Sequence, residues 1–353
     1  MLAFAGLGIV VLVAAYAATG GSFLSILPAG GALCGSVSKV QNSSAIGGWA
    51  VKFGAGSTTC GGGTPSPTPT PVAGSGTPPT THLGVWLAAE DNGSFSTVPG
   101  QKPDVANIYL AWEGAWPAGF INGAEAADAT PFVELEPWND GGTTPQFSNI
   151  ISGQYDSWLT SVGNSVKSLG KPVIFTFAHE FNIGGQYPWS IKPKDVSSCG
   201  SSPCSPATWI QAWDHVESVV NEAAGSNAFW MWCPNVDSGG SNTNPASWWP
   251  GESEVQMVGV DGYPSFINSS GGTFQSDFGQ TFSEIHSKTS LPIFIAETDL
   301  APLGSGGFEP IPNFIKDMAA AGGDGILQFQ EGLPALSSSQ WSQLDAALAQ
   351  YVH

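Results

Sequence analysis

The stretch Lys171–Asn182, "KPVIFTFAHEFN", runs a short apolar segment straight into an imidazole and a carboxylate. The run "PVIFTFAHE" (172–180) is apolar on both faces, as suits a strand buried in a parallel sheet. The adjacent His179 and Glu180 are compatible with a zinc site, a buried polar pair or half of an acid/base device. Seven comparable runs recur along the chain: "LGVWLA" (83–88), "VANIYLAW" (105–112), "PFVELEP" (131–137), "AFWMWCPN" (228–235), "VQMVGVDGY" (255–263), "PIFIAET" (292–298) and "GILQFQ" (325–330). Helical spacing fills the intervals, as in "YDSWLTSVGNSVKSLG", "ATWIQAWDHVESVVNEAAG", "FSEIHSKT", "IPNFIKDMAAAGG" and "SSQWSQLDAALAQYV". Several of these stretches end at Gly, a common C-terminal cap. Eight strands alternating with helices over about 270 residues predict an α/β fold, a (β/α)8 TIM barrel. A doubly wound sheet is the alternative, but no Gly-rich phosphate loop follows the first strand.

Ahead of this unit the texture differs. Leu2–Thr19 carries no charge, and the first basic residue is Lys39. Residues 1–30 are therefore expected to be a hydrophobic signal or membrane anchor. Residues 31–60 form a small Gly/Ser-rich stub bracketed by Cys34 and Cys60, and 61–80 read as a Pro/Thr/Gly linker. The barrel domain is expected over 81–353. Cys199 and Cys204 bracket a second small loop, and two disulfides would suit an exported protein. Cys233 is then left over in an apolar run, as a buried free thiol. The expected location is extracellular, secreted or tethered to a membrane through the N-terminus.

Charge narrows the partners. Lys+Arg is 9 against 28 Asp+Glu, a formal net charge of -19, and all nine basic residues are Lys. Such a chain offers nucleic acid no basic stripe, and without Arg it lacks the usual clamp for anionic ligands. A neutral, hydroxyl-rich ligand fits better.

Barrel enzymes carry their chemistry at the C-terminal ends of strands. The polar residues there are Glu136 with Trp138, His179 with Glu180, Asn235, Asp261 with Tyr263, and Glu297. A zinc metalloprotease would need a second His four residues after His179, where Ile183 stands, so no metal is expected. Glu180 and Glu297 close the fourth and seventh candidate strands, which face each other across a closed barrel. Carboxylates about 5–5.5 Å apart support retaining glycoside hydrolysis, one as acid/base and the other as nucleophile. Trp112, Trp116, Trp138, Trp189, Trp248 and Trp249 fall in or beside the loops at that end, and aromatic faces pack against sugar rings. At least two of them are expected to act as sugar platforms.

From about His82 onward the chain resembles glycoside hydrolase family 26, best known for endo-β-1,4-mannanases. The resemblance rests on "FAHEFN…YPW", "AWDHV…FWMWCPN", "WWPGESEVQMVGVDGY" and "PIFIAET", in the family's order. It implies Glu180 as acid/base and Glu297 as nucleophile. It further implies His179 beside the sugar, Tyr263 orienting the nucleophile, Asp261 shaping the same subsite and Trp189 walling the leaving-group side. Trp112, Trp138, Asn235 and Phe329 complete the candidate substrate contacts. Three positions depart from the family pattern: Thr176 in place of Arg, Gln186 in place of Trp, and only Phe329 and Gln330 after the eighth strand. The expected protein is a monomeric endo-β-glycanase acting on neutral β-mannan without metal or organic cofactor. Alternatives are a β-1,3-xylan or mixed-linkage glucan as substrate, or a non-catalytic carbohydrate-binding barrel.

Overall fold

The structure, a computed structural model, describes residues 95, 103–138, 144–193, 197–237, 243–329 and 333–352. The expected leader, stub, linker, Cys34–Cys60 bracket, strand 83–88 and Gln330 lie outside them. No helix among the described residues is long and apolar enough to cross a membrane.

Seven of the eight expected strands are present: β1 (Val105–Ala111), β2 (Thr130–Glu136), β3 (Val173–Phe177), β4 (Ala228–Trp232), β5 (Met257–Asp261), β6 (Ile293–Thr298) and β7 (Gly323–Gln328). They form one sheet in chain order, and every neighbouring pair is parallel. Parallel neighbours need long crossovers. These hold α1 (Ala118–Ala126), α2 (Phe147–Ile151), α3 (Asp156–Leu169), α4 (Pro206–Ala224), α5 (Pro264–Ile267), α6 (Phe274–Asp277), α7 (Gly279–His286) and α8 (Ile311–Ala320), with α9 (Ser338–Tyr351) following β7. Between β4 and β5 the described helical element is a 3-10 turn, Pro245–Trp248. As expected, α3 stops at Gly170, whose φ of 70° is the left-handed cap that costs other residues strain. α4 buries Trp209, Ala212, Trp213, Val216 and Val220, a stripe at helical spacing.

The sheet curls into a half-barrel, a TIM-like α/β arrangement. The Tyr109 hydroxyl on β1 donates to Glu297 on β6. In a flat sheet those strands, five spacings apart, would be separated by roughly 24 Å. Inside the curl, alternate residues of each strand meet. Val105, Phe132, Ile174, Phe229, Met231, Met257, Phe294 and Leu327 form one apolar cluster, with Tyr109 and Phe329 packed on it. A larger apolar cluster lies between the outer strand faces and the helices.

Residue size inside the curl is tightly constrained at Gly259. A Cβ there would lie 2.5 Å from Cys233 Sγ and 2.8 Å from Ala296 Cβ. Gly259→Ala is predicted to destabilise the protein by about 1–3 kcal/mol through overpacking. Denaturant unfolding reads this as a lowered midpoint; an unchanged midpoint would contradict the interior packing.

Candidate active site

The polar end of β3 is not a straight continuation of the strand. The ladder stops at Phe177, and Ala178 and Glu180 both take left-handed backbone conformations, with φ of 50° and 49°. Such residues cost of order 1–3 kcal/mol each and persist only where their surroundings hold them. Here Ala178 N–H bonds Leu135 O at 3.0 Å, and Glu180 N–H bonds Cys233 O at 2.9 Å. The consequence is that consecutive side chains, His179 and Glu180, both sit buried at the C-terminal mouth of the half-barrel.

Glu180 is held from β4's extension. Asn235 Nδ2 donates to its carboxyl, and Asn182 fixes Asn235 by accepting from its N–H and donating to its carbonyl, both at 2.8 Å. Burial, reinforced by the nearby charge of Glu297, pushes the Glu180 carboxyl up to about 8. Its protonated form is thereby favoured.

Glu297 reaches the same space through an irregularity in β6. Val260 pairs with Ile295 but Asp261 pairs with Glu297, so β6 contains one extra residue at this point. A bulge of this kind re-aims side chains. Without it, Glu297 would alternate away from Ala296, which faces the interior cluster. Tyr263 donates to one Glu297 oxygen at 2.5 Å and Tyr109 to the other. Burial raises this carboxyl, while hydrogen bonds from Tyr109, Tyr263 and Glu134 favour its ionised form.

Glu180 and Glu297 line one cleft of about 640 Å³, with Asn235 and Tyr263. Trp138, Tyr187, Gln186 and Glu136 also line it, as do Phe266 and Phe329. Several sequence expectations are corrected here. Trp112 is no sugar platform: it is 2% exposed and packs against Tyr155, Trp158 and Phe177 beneath the surface. Trp189 is fully buried, donates to His179 O at 2.6 Å and stacks under Tyr187. Tyr187, not Trp189, is therefore the ring at the wall. Trp248 is core, and of the six candidate tryptophans only Trp138 lines the cleft. His179 and Asp261 are buried below the cleft wall, each 1% exposed. Asn107, Tyr109 and Glu134, with Glu136 named only as a strand-end polar residue, were not expected among the site residues, nor were Tyr187 and Phe266. The first four stand at i and i+2 within β1 and β2, and that polar alternation in "ANIYL" and "FVELE" was the available signal. Phe266 is 74% exposed, beyond anything an apolar-run reading selects.

The floor below gathers Glu134, Asp261 and Glu297 with neutral partners. Cys233, a buried free thiol, lies among them, while Cys199 and Cys204 form the expected local disulfide. Glu134, His179 and Glu297 offer three potential ligand atoms within 4.8 Å of one another. Both Glu297 oxygens already accept tyrosine hydroxyls, which a cation would have to displace. Burial holds His179 neutral, down at about 3, so it brings no charge to balance the carboxyls. The set fits a proton-sharing cluster better than a cation site.

A parallel half-barrel with carboxyls gathered at its C-terminal mouth defines a TIM-like α/β protein with an enzyme-like site. No protein-family model matches the chain. Among curated proteins it is similar to Endoglucanase H of Acetivibrio thermocellus, 25% identical over 231 residues. That match covers 63% of this chain and 24% of the relative, so the chain spans about a quarter of that protein's length. Among solved structures it shares its fold with the Bacillus subtilis mannanase BCman (TM-score 0.51, 15% identity, 74% of this chain and 83% of that one). The GH26 domain of an endo-beta-mannanase/endo-beta-glucanase from Prevotella bryantii is similar too (TM-score 0.52, 14% identity, 78% and 90% covered). So is a beta-mannanase from a symbiotic protist of the termite Reticulitermes speratus, solved with a gluco-manno-oligosaccharide (TM-score 0.50, 15% identity, 80% and 95% covered).

The buried acids make stability depend on pH. Glu180 and, on α4, Glu217 both rise from 4.5 to about 8, chiefly through burial, and Glu134 and Asp261 rise as well. The folded state then binds more protons than the unfolded one between about pH 4.5 and 8, so stability falls as pH rises through that window. His179 acts oppositely, but only below its unfolded value of 6.5. The melting temperature is predicted to be higher at pH 6.5 than at pH 8 by more than ~2 °C. Glu217→Gln should reduce that slope, and a melting temperature that rises toward pH 8 would contradict the protonated cluster.

Proposed function

We propose that the protein is a retaining endo-β-glycanase that hydrolyses mannan-type polysaccharide. One observation carries the reading: two buried carboxyls share one cleft and differ in the donors and charges around them. Glu180 is pushed up to about 8 by burial and by Glu297's charge, whereas the rise that burial gives Glu297 is opposed by tyrosine donors that favour its anion. Pairs separated in this way divide acid and base roles. Glu180 protonates the glycosidic oxygen as Glu297 attacks the anomeric carbon, forming a glycosyl-enzyme. Water, deprotonated by Glu180, then releases the sugar with retained configuration. The absence of Arg from the chain and the aromatic cleft wall support a neutral sugar ligand. The fold shared with mannanases supports the same reading.

Hydrolysis of a glucan is a second reading, favoured by the similarity to an endoglucanase. Thr176 and Gln186, where the resemblance implies Arg and Trp, bear on that choice. A panel of mannans, mixed-linkage glucan and β-1,3-xylan with reducing-end detection separates them: fastest release from mannan is expected, and faster release from another glycan overturns the mannan assignment. Glu297→Gln should lower turnover by about three orders of magnitude or more while leaving the melting temperature near that of the parent. Near-normal turnover would remove Glu297 as nucleophile.

Phe266 and Trp138 are the exposed large apolar side chains among the described residues, and both line this cleft. Phe266→Ala is predicted to raise KM for long oligosaccharides about fivefold, the equivalent of one aromatic contact, with kcat little changed. An unaltered KM on long substrates would exclude it as a sugar platform.

A further inference from the structure

Glu134 has no task in the chemistry above, yet it occupies the centre of the cleft floor. It lies midway along β2 and is 1% exposed. Asn107 Nδ2 donates to one of its oxygens at 2.5 Å, and the other lies 3.2 Å from His179 Nδ1. The Glu134 and Glu297 carboxyls also lie within 4.8 Å of each other, close enough for a proton on Glu134 to favour the Glu297 anion. From His179 the connection continues, because its Nε2 is 3.2 Å from the Tyr187 hydroxyl and Tyr187 bonds Glu180. A row of adjacent polar groups thus runs Glu297–Glu134–His179–Tyr187–Glu180.

Two carboxyls sharing one proton cannot both be acceptors. Glu297 accepts from Tyr109 and Tyr263, so the shared proton belongs to Glu134. No donor is aimed at Glu134 Oε2, so an ionised Glu134 would leave buried charge without a hydrogen bond on that oxygen. The titratable groups facing it, Tyr109, Glu136, His179, Cys233, Asp261 and Glu297, provide no cation to balance a charge. Burial, then the charge of Glu297, push its carboxyl well above the ordinary range.

We propose that Glu134 is a positioning residue: a neutral carboxylic acid that gives Glu297 a third hydrogen bond and, through His179 and Tyr187, keeps the two reacting carboxyls aligned. The proposal rests on the assignment of Glu180 and Glu297 as the catalytic pair. A glutamine can replace a neutral acid here, since its amide still donates to Glu297 and its oxygen still accepts from Asn107. It cannot replace a carboxylate.

Two measurements on the full chain test this. Infrared difference spectra of the parent against E134Q at pH 7 should show loss of one protonated-carboxyl C=O band. Kinetically, E134L should lower kcat by about a hundredfold, the effect of losing one well-placed donor, with KM little changed, and E134Q should recover most of that loss. Loss of a carboxylate band instead, E134Q as impaired as E134L, or E134L as active as the parent each overturns the proposal. An ionised Glu134 of that kind would point to a bound cation. Were the parent inactive on every glycan, the catalytic reading would fail, and with it the positioning role. The infrared band would still decide where the proton sits, whether or not E134L folds.

Discussion

Carboxyl groups buried together without a cation cannot all remain charged, and the mouth of this half-barrel is built around that constraint. Glu134, Glu180, Asp261 and Glu297 are each at most 5% exposed. The chain has no Arg, and its nine Lys are the only fixed cations available. The charge that persists is stabilised by neutral donors, Tyr109, Tyr263 and Asn235, and the remainder is removed by protons. Among the described residues no Lys lines the cleft to balance a phosphate or carboxylate. The cleft suits a ligand whose hydroxyls exchange hydrogen bonds and whose ring faces pack on aromatic side chains.

The same constraint explains why the backbone is irregular where the acids stand. A regular strand alternates its side chains, so His179 and Glu180 could not both turn toward one cavity. The left-handed pair Ala178 and Glu180 breaks the alternation on β3, and the extra residue before Glu297 breaks it on β6. Both departures carry a local cost that regular packing elsewhere offsets. The apolar interior below, from Val105 around to Leu327, is regular and closely filled, as the absence of space for a Cβ at Gly259 indicates.

Much of the architecture was legible because it is repeated. Apolar runs of strand length and helices at 3.6-residue spacing recur through the chain, and each repeat reinforces the others. Glu180 and Glu297 were legible for a related reason: both stand at the ends of largely apolar runs, where a charged residue stands out. Tyr109 and Glu134 were hidden by the opposite circumstance. They lie within the runs, flanked by Ile108, Leu110, Val133 and Leu135, and looked like imperfections in a buried strand. The tryptophans misled because indole serves packing and sugar stacking equally well; Trp112 and Trp189 serve packing.

By itself the sequence determined the parallel α/β arrangement, the order of its strands and the two carboxyls at the mouth. Those properties depend on local periodicity and on composition, which neighbours in space cannot change. Only the tertiary structure decided which aromatic rings face the cleft, that Glu134 and Tyr109 converge on Glu297, and which carboxyls retain protons. These depend on the curl that brings β1 to β6 and on the burial it creates. Distance and desolvation are properties of the folded arrangement, and no stretch of sequence contains them.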